Sequence, residues 1–187
     1  MAKLYFRYGT MDSAKSMNLL AVAHNYRKQG KRVVLMKPRL DNRFGVTKIS
    51  SRCGLEAEAD LMVDLETTLD PRDFRGLDCV LVDEAQFLAP SVIEELRRIT
   101  IDPGVPVICY GLRTDYRGKG FPGALELLSI ADALEELKTI CRCGRKASMV
   151  IRHDGKGERL YEGAQVQVGG NETYESVCPR RFYTGSC

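Results

Sequence analysis

Apolar residues in the first 137 positions of this chain follow two alternating patterns. Short continuous apolar runs predict buried strands, and longer stretches whose apolar residues recur every three or four positions predict helices. We predict strands at 4–6, 32–36, 60–65, 79–82 and 105–110, and helices at 15–29, from 90 onward and at 124–137. Strands that alternate with helices in this order are typical of βαβ units and therefore of a parallel sheet.

The sequence also predicts the structure of three segments that border these strands and helices. Residues 39–52 are polar and basic without a clear period, and a loop of that length is either mobile or functional. Ser91 and Glu94 form a capping box that is expected to start the helix after Pro90. Residues 111–123 are rich in glycine and basic side chains, and we expect a loop there.

Residues 138–187 differ in character from the rest of the chain. A tight turn at 139–144 carries two cysteines, a strand is predicted at 147–152, and the stretch 154–170 contains five glycines. Two short cysteine-bearing limbs on either side of a glycine-rich loop are typical of a lasso clipped by zinc. We therefore predict a first domain at 1–137 and a small second domain at 138–187.

Composition and charge indicate an ordinary globular protein. The chain has 187 residues, of which 44% are hydrophobic and 28% charged, enough for one core and a small appendage. No apolar run approaches the roughly 20 residues that cross a bilayer, and the first residues lack the pattern of a secretory signal. We expect a cytoplasmic protein without a membrane partner. The net charge of +3 is too small to indicate nucleic acid.

The cysteines point to a metal rather than to disulfides. There are seven, an odd number, and four of them fall in the last part of the chain: Cys141, Cys143, Cys178 and Cys187. In a cytosolic protein such crowding favours zinc binding. The alternative is that these residues are small buried hydrophobes.

The stretch Gly9–Ser16 has the pattern of a phosphate-binding loop between the first strand and the first helix. It matches G-x-x-x-x-G-K-[ST] at three of the four fixed positions, with Ala14 in place of the second glycine. Such a loop points backbone N–H groups and a helix N-terminus at one anion. Lys15 would then reach the β and γ phosphates, and the Ser16 hydroxyl would bind Mg²⁺. The alternative is an ordinary strand-to-helix turn.

Two acids follow the apolar strand 79–82. Asp83 and Glu84 stand where a central parallel strand would point a carboxylate at the magnesium of a bound nucleotide. Asp83 is therefore the predicted second magnesium ligand beside Ser16. Taken together with the phosphate-binding loop, this pair predicts a nucleotide site with Mg²⁺ as its cofactor.

These segments together resemble the cytosolic, P-loop, zinc-containing thymidine kinase family, in its bacterial form. The resemblance covers nearly the whole chain. It rests on the phosphate-binding loop with Met11 inside it, the Asp83–Phe87 segment (DEAQF), the Tyr110–Asp115 segment (YGLRTD), the Cys141/Cys143 turn, and Gly169-Gly170 followed by Tyr174 and Cys178. It implies an α/β fold with a P-loop (RecA-like) parallel sheet, flanking helices and a small C-terminal zinc-clipped lasso domain.

The resemblance also implies roles for particular residues. Glu84 would be the general base that accepts the 5′-hydroxyl proton of thymidine, Asp83 would hold Mg²⁺ through water, and Arg43 would contact phosphate. The residues implied to bind ATP are Gly9, Thr10, Met11, Asp12, Ser13, Ala14, Lys15, Ser16, Arg43, Asp83, Glu84, Ala85 and Gln86. ATP and thymidine are thus the implied substrates and thymidine monophosphate the product.

For the nucleoside, the resemblance implies recognition mostly by backbone groups of the lasso. Gln165, Val166, Gln167, Val168 and Gly169 would bind the base, and Tyr174 would close over the ligand. Tyr116 and Phe121 would form aromatic walls, with Met11 and Leu112 at the methyl side of thymine. Members of the family are commonly homotetramers inhibited by dTTP, so we expect both properties.

The fourth zinc ligand stays open beside Cys141, Cys143 and Cys178. The family usually has a cysteine or histidine where this chain has Arg181, and a guanidinium has no lone pair to give. Cys187, His153 and water are the candidates.

Two other functions are consistent with the same motifs. A P-loop ATPase could couple hydrolysis to nucleic acid through a zinc ribbon, but this chain leaves little room for a second, sensor-bearing half. A zinc-binding interaction module could carry an inactive nucleotide fold, although intact Lys15, Ser16, Asp83 and Glu84 count against it.

Overall fold

The computed structural model describes residues 1–42, 45–165 and 174–187. Its helices are α1 (Lys15–Lys28), α2 (Pro90–Ile101), α3 (Pro122–Ile130) and α4 (Pro179–Thr184), with short 3₁₀ helices at Pro71–Phe74 and Ala85–Phe87. None of the helices within these residues is long and apolar enough to cross a membrane.

A six-stranded parallel sheet forms the centre of the molecule, as the alternating pattern predicts. Its strands are β1 (Leu4–Tyr8), β2 (Val33–Pro38), β5 (Leu61–Val63), β6 (Cys79–Val82), β7 (Val107–Gly111) and β8 (Ala133–Glu136). Two further strands, β3 (Lys48–Ser50) and β4 (Glu56–Glu58), lie outside this sheet. The strand order is β5-β2-β6-β7-β1-β8, and every pairing is parallel. The carboxyl ends of β1, β2, β6 and β7 therefore lie along one edge of the sheet.

Helices cover both faces of this sheet. Residues of α2 and α3 pack on the face that includes Val80 and Val82. Residues of α1 pack on the opposite face, which includes Cys79 and Leu81. Because both faces are covered, all four residues of β6 are buried, and its sequence is continuously apolar rather than alternating.

The predicted helix at 124–137 is wrong beyond Ile130. Helix α3 ends there, and residues 133–136 form β8, the edge strand that pairs with β1. The Asp132 carboxylate accepts a hydrogen bond from the Leu4 backbone N–H at 2.8 Å, which fixes the entry into this strand. Ala, Leu and Glu favour helix by intrinsic propensity, but pairing with an otherwise open sheet edge outweighs that preference.

The predicted capping box at the start of α2 is also wrong. The residue before the helix is Ala89, which gives no side-chain cap, and Pro90 occupies the first turn. Proline suits that position because its missing N–H would have no helical partner there. Ser91 therefore lies inside the helix.

The basic stretch at 39–52, predicted as a loop, contains regular structure. Strand β3 (Lys48–Ser50) pairs antiparallel with β4 (Glu56–Glu58) in a hairpin. Ile49 is buried in the same cluster as Leu19 and Leu20 of α1, so the hairpin is anchored on that helix.

The last part of the chain builds a third, separate core. Its strands are β9 (Thr139–Ile140), β10 (Lys146–Ala147), β11 (Met149–His153), β12 (Arg159–Leu160) and β13 (Tyr174–Val177). Two cysteines, Cys141 and Cys178, pack there with Phe182 of α4. The Ser176 hydroxyl on β13 donates to the Met11 carbonyl at 2.7 Å, which joins this part to the phosphate-binding loop. The predicted domain boundary at 137/138 stays a prediction.

Candidate active site and cysteine cluster

The Gly9–Ser16 loop connects the end of β1 to the start of α1. A Cβ at Gly9 would lie 2.2 Å from the Ser13 hydroxyl oxygen and 2.5 Å from the Leu137 carbonyl, so only glycine fits there. Asp12 and Ala14 both adopt the left-handed conformation, with φ of 61° and 58°. The alanine thus keeps the backbone shape for which glycine is usually required, at a cost of roughly 1–2 kcal/mol.

Lys15 holds this loop in its curled shape. Its side chain is buried, and its ammonium donates to the Thr10 carbonyl at 2.6 Å and to the Ser13 hydroxyl at 3.3 Å. Ser13 in turn donates to the Thr10 carbonyl at 2.9 Å. The positive charge therefore lies inside the curve of the loop, where a phosphate would need it.

Ser16 and Asp83 meet across the carboxyl edge of the sheet. The Ser16 hydroxyl donates to the two carboxylate oxygens of Asp83 at 3.0 and 3.3 Å. Burial and the neighbouring charge of Glu84 raise the pKa of Asp83 well above its usual value, and Asp41, in the segment after β2, adds to this effect. A hydroxyl beside a carboxylate with a raised pKa suits a hard cation such as Mg²⁺, which would neutralise this acidic edge.

Glu84 is held by its neighbour Gln86. It adopts a left-handed conformation with φ 49°, and the Gln86 side-chain amide donates to its carboxylate at 2.6 Å. The amide oxygen of Gln86 accepts from the Leu112 backbone N–H at 2.9 Å. A Cβ at Gly111 would come within 2.6 Å of that amide oxygen, so the glycine permits the bridge. One buried glutamine thus couples the carboxylate to the end of β7.

The residues predicted to surround the nucleoside have different environments. Leu112 lines a small cavity together with Gly9 and Thr10. Phe121 is buried in the core of the main sheet, edge-on to Phe87, with ring centroids 5.6 Å apart. Tyr116 is also buried, and its hydroxyl has no hydrogen-bond partner within the described residues.

Loop residues near Tyr116 are tied to the start of the predicted lasso. The Arg152 guanidinium lies 4.4 Å from the Tyr116 ring centroid and donates to the Ala164 carbonyl at 3.1 Å. Arg117 donates to the Gly163 carbonyl at 3.3 Å, and Gln165 donates to the Asp115 carboxylate at 3.3 Å.

Some predicted site residues fall outside the residues that the structure describes. They are Arg43, Val166, Gln167, Val168 and Gly169. Tyr174 is described and begins β13, where it pairs with Arg152.

Sequence reasoning missed three arginines at this site. Arg117 and Arg152 donate to the Gly163 and Ala164 carbonyls at the start of the predicted lasso, and Arg52 is paired with Asp12 of the predicted phosphate-binding loop. In the sequence Arg52 ends a stretch without a clear period, because a three-residue strand such as β3 is too short to give a pattern. The Ser-Arg-Cys-Gly sequence at 51–54 was the one turn signal available.

Four cysteine sulfur atoms form a compact cluster in the third core. Cys141, Cys143, Cys178 and Cys187 each place Sγ within 4.8 Å of the others. Two of the separations are 3.9 Å, between Cys141 and Cys187, and 3.8 Å, between Cys143 and Cys178. A tetrahedral site with zinc–sulfur bonds of about 2.3 Å has sulfur atoms roughly 3.8 Å apart, so these thiols fit zinc.

The local backbone favours thiolate at Cys141, whereas the side-chain hydrogen bond with Cys143 and burial raise the pKa of the Cys187 thiol. Burial opposes ionisation of Cys141, but hydrogen bonds from the backbone N–H groups of Cys143 and Cys178 lower the pKa of its thiol below the usual value. By contrast, burial raises the pKa of Cys79 and Cys109 in the main sheet, where these residues serve as packing.

The geometry favours Cys187 over His153 as the fourth zinc ligand. Cys187 lies in the cluster, whereas His153 ends β11 opposite Arg159 and is not among the clustered groups of the described residues. Arg181 is engaged elsewhere, since its guanidinium donates to both carboxylate oxygens of Glu175.

A family model and curated relatives match nearly the whole chain, and they carry the same name. The family model described as "TK: Thymidine kinase" matches residues 2–183. The chain is 50% identical over 186 residues to a thymidine kinase of Ruegeria pomeroyi, covering 97% of this chain and 94% of that protein. It is 48% identical over 183 residues to one from Chromobacterium violaceum, covering 98% and 99% of the two chains.

One solved structure is only weakly similar. The Pif1 helicase from Candida albicans aligns with a TM-score of 0.44 and 12% identity, covering 76% of this chain and 37% of the helicase. A similarity this low supports no functional statement.

The cysteine cluster predicts one zinc ion per chain with Cys187 as a ligand. Cys187→Ser should reduce bound zinc strongly, because a hydroxyl replaces the fourth thiolate. Elemental analysis of protein purified without chelator measures this. Two controls, Cys53→Ser at an exposed cysteine and His153→Ala, should keep one zinc. Full zinc in Cys187→Ser, or zinc loss in His153→Ala, would contradict the assignment.

Proposed function

The chain belongs to the thymidine kinase family, and we propose that it transfers the γ-phosphoryl group of ATP to the 5′-hydroxyl of thymidine, with Glu84 as the general base. In this step a bond forms between the 5′-oxygen and the γ-phosphorus, and the bond from that phosphorus to the bridging oxygen breaks. The 5′-hydroxyl proton passes to the Glu84 carboxylate. The products are thymidine monophosphate and ADP, a reaction that would salvage nucleoside for DNA synthesis.

The observation that carries the mechanism is the position of Glu84 beside the phosphate-binding loop. Its carboxylate follows directly on Asp83, which is hydrogen-bonded to Ser16, and it is held at 2.6 Å by Gln86. A base with a fixed orientation can accept the proton only from a hydroxyl placed on that side of the phosphates. Phosphoryl transfer otherwise needs mainly positioning and neutralisation of charge.

The phosphate-binding loop would neutralise the negative charge of the ATP phosphates. The Lys15 ammonium bonds to carbonyl and hydroxyl oxygens of its own loop, and bound phosphate oxygens would be stronger, charged acceptors for it. Ser16 and Asp83 would hold Mg²⁺, Asp83 through water. When bound, the ion would neutralise negative charge on the phosphates and on the acidic edge.

For the nucleoside, we propose recognition by the lasso at 165–169, with Tyr174 closing over the ligand. Thymine offers one N–H donor between two carbonyl acceptors, so backbone groups can bind it without a charged side chain. The bonds of Arg117 and Arg152 to Gly163 and Ala164 support this, because they fix the entry of the lasso beside Tyr116. Zinc at the four cysteines would clip the two limbs together.

Other properties are proposed from family resemblance. They are a cytoplasmic location, a homotetrameric assembly and inhibition by dTTP.

A panel of nucleosides tests the proposed reaction. Thymidine should stimulate ADP release from Mg-ATP far more than adenosine, guanosine or cytidine derivatives do, because only thymine and uracil present the acceptor–donor–acceptor edge. ADP formation by a coupled assay is the measurement. ADP release that needs no nucleoside, or that rises with single-stranded DNA instead, would favour an ATPase acting on nucleic acid.

The role of Glu84 predicts a specific loss of turnover. Glu84→Gln keeps the size and one hydrogen bond of the side chain but removes the proton acceptor, so kcat should fall about 10²–10⁴-fold. ATP affinity, measured by calorimetry, should change little. Glu94→Gln, at an exposed glutamate on α2, is the matched control and should behave as the unmodified enzyme. If Glu84→Gln keeps more than about a tenth of kcat, the base is another group.

A further inference from the structure

The β3–β4 hairpin ends in a tightly closed turn. The Ser51 backbone N–H donates to the Leu55 carbonyl at 2.8 Å, and the Leu55 N–H donates to the Ser51 hydroxyl at 3.0 Å. Gly54, with φ +85°, allows its own N–H to donate to the Ser51 carbonyl at 3.0 Å. With Ile49 buried against α1, the turn is held at both its base and its tip.

This turn presents Arg52 to the phosphate-binding loop. The Arg52 guanidinium forms an ion pair with the carboxylate of Asp12. Asp12 lies inside the loop in a left-handed conformation, φ 61°, so the pair reaches across from the hairpin to the loop. The β3–β4 hairpin and the phosphate-binding loop therefore meet at this guanidinium.

Arg52 is also close enough to Glu84 to interact with its charge. Partial burial lowers the pKa of the Arg52 guanidinium, and the carboxylate of Glu84 acts in the opposite direction. The guanidinium remains protonated throughout the physiological range. A fixed positive charge thus lies near both the loop that would hold the phosphates and the acid that would accept the nucleoside proton.

We propose that Arg52 is a catalytic residue that binds the γ-phosphoryl group during its transfer from ATP to the nucleoside. This inference rests on the proposed function. As the 5′-oxygen bonds to the γ-phosphorus and ADP leaves, the phosphoryl oxygens carry negative charge. A positive group in the space between Glu84 and the loop must balance that charge. The planar guanidinium fork can donate two hydrogen bonds to those oxygens, which an ammonium cannot do with the same geometry.

The observed pair with Asp12 is compatible with this role. Its side chains are 38% and 49% exposed, and ion pairs exposed to that extent contribute little to stability. Phosphoryl oxygens, which carry more charge than one carboxylate, would compete well for the same guanidinium. Asp12 would then act as the resting partner that keeps the arginine at the site.

The chain offers a matched control for an exposed arginine–aspartate pair. Arg72 donates to the Asp70 carboxylate at 2.5 to 3.0 Å and lies on the 3₁₀ helix at Pro71–Phe74, which packs against α2 rather than at the carboxyl edge. Loss of Arg72 removes the same kind of surface pair without touching the proposed site.

The test compares Arg52→Ala, Arg52→Lys and Arg72→Ala in steady-state kinetics with Mg-ATP and thymidine. Arg52→Ala should lower kcat about 10³–10⁵-fold, whereas KM for thymidine should change less than about threefold, because the contact is made mainly in the transition state. Arg52→Lys should keep only a small part of the activity. Arg72→Ala should match the unmodified enzyme in both parameters.

Chemical rescue separates a catalytic charge from a structural pair. Added methylguanidine should raise kcat of Arg52→Ala at least several-fold and leave the Arg72→Ala enzyme unchanged. Thermal melting of Arg52→Ala should stay close to that of the unmodified protein. If Arg52→Ala is unfolded, Arg52→Lys is decisive, and wild-type kcat in that variant overturns the proposal.

The outcomes also distinguish this proposal from the proposed function. If the unmodified enzyme shows no thymidine-dependent ADP release, the proposed function itself fails. If it does, and Arg52→Ala retains kcat within threefold or loses activity without any rescue, only the role of Arg52 is overturned.

Discussion

The hydrogen bond from the Ser16 hydroxyl to the Asp83 carboxylate joins two segments that are 67 residues apart in the chain. It exists because β1 and β6 run parallel in one sheet, so that the segment after each strand emerges at the same edge. Ligands of open α/β sheets bind at that edge for the same reason. The phosphate-binding loop, the acidic pair and the Gln86 bridge to β7 all depend on this alignment.

Three residues of the site adopt an unfavourable backbone conformation. Asp12, Ala14 and Glu84 are the non-glycine residues with positive φ in the described part of the chain. Such conformations cost of order 1–3 kcal/mol each and persist only where surrounding contacts impose them. The hydrogen bonds of Lys15 impose this conformation on the loop that contains Asp12 and Ala14. The Gln86 bridge imposes it on Glu84, next to β6. The ordered core beneath them supplies the stability that offsets this cost.

Much of the fold could be predicted from the sequence because local pattern and tertiary environment agree there. The apolar run at 79–82 is a strand buried on both faces, and the 15–28 helix and the phosphate-binding loop lie where their motifs indicate. The strand at 133–136 could not be predicted, since its helix-favouring residues are overridden by pairing with β1.

The candidate site was predictable to the same extent. The loop and the acids form motifs along the chain, and the cysteines are recognisable by their crowding. Arg52 reaches the phosphate-binding loop only when the hairpin folds onto α1, and Gln86 bridges to β7 only when Gly111 lies beside it. These contacts join residues that are far apart in the sequence, so no local spacing of residues predicts them.

A crystal structure with thymidine and a non-hydrolysable ATP analogue would show directly whether Glu84 is placed to accept the 5′-hydroxyl proton. If Glu84 is the general base, the nucleoside 5′-oxygen should lie within roughly 2.6–3.2 Å of a Glu84 carboxylate oxygen and should face the γ-phosphorus opposite the bridging oxygen. A 5′-hydroxyl bonded to another group, with Glu84 turned away and held only by Gln86, would contradict it.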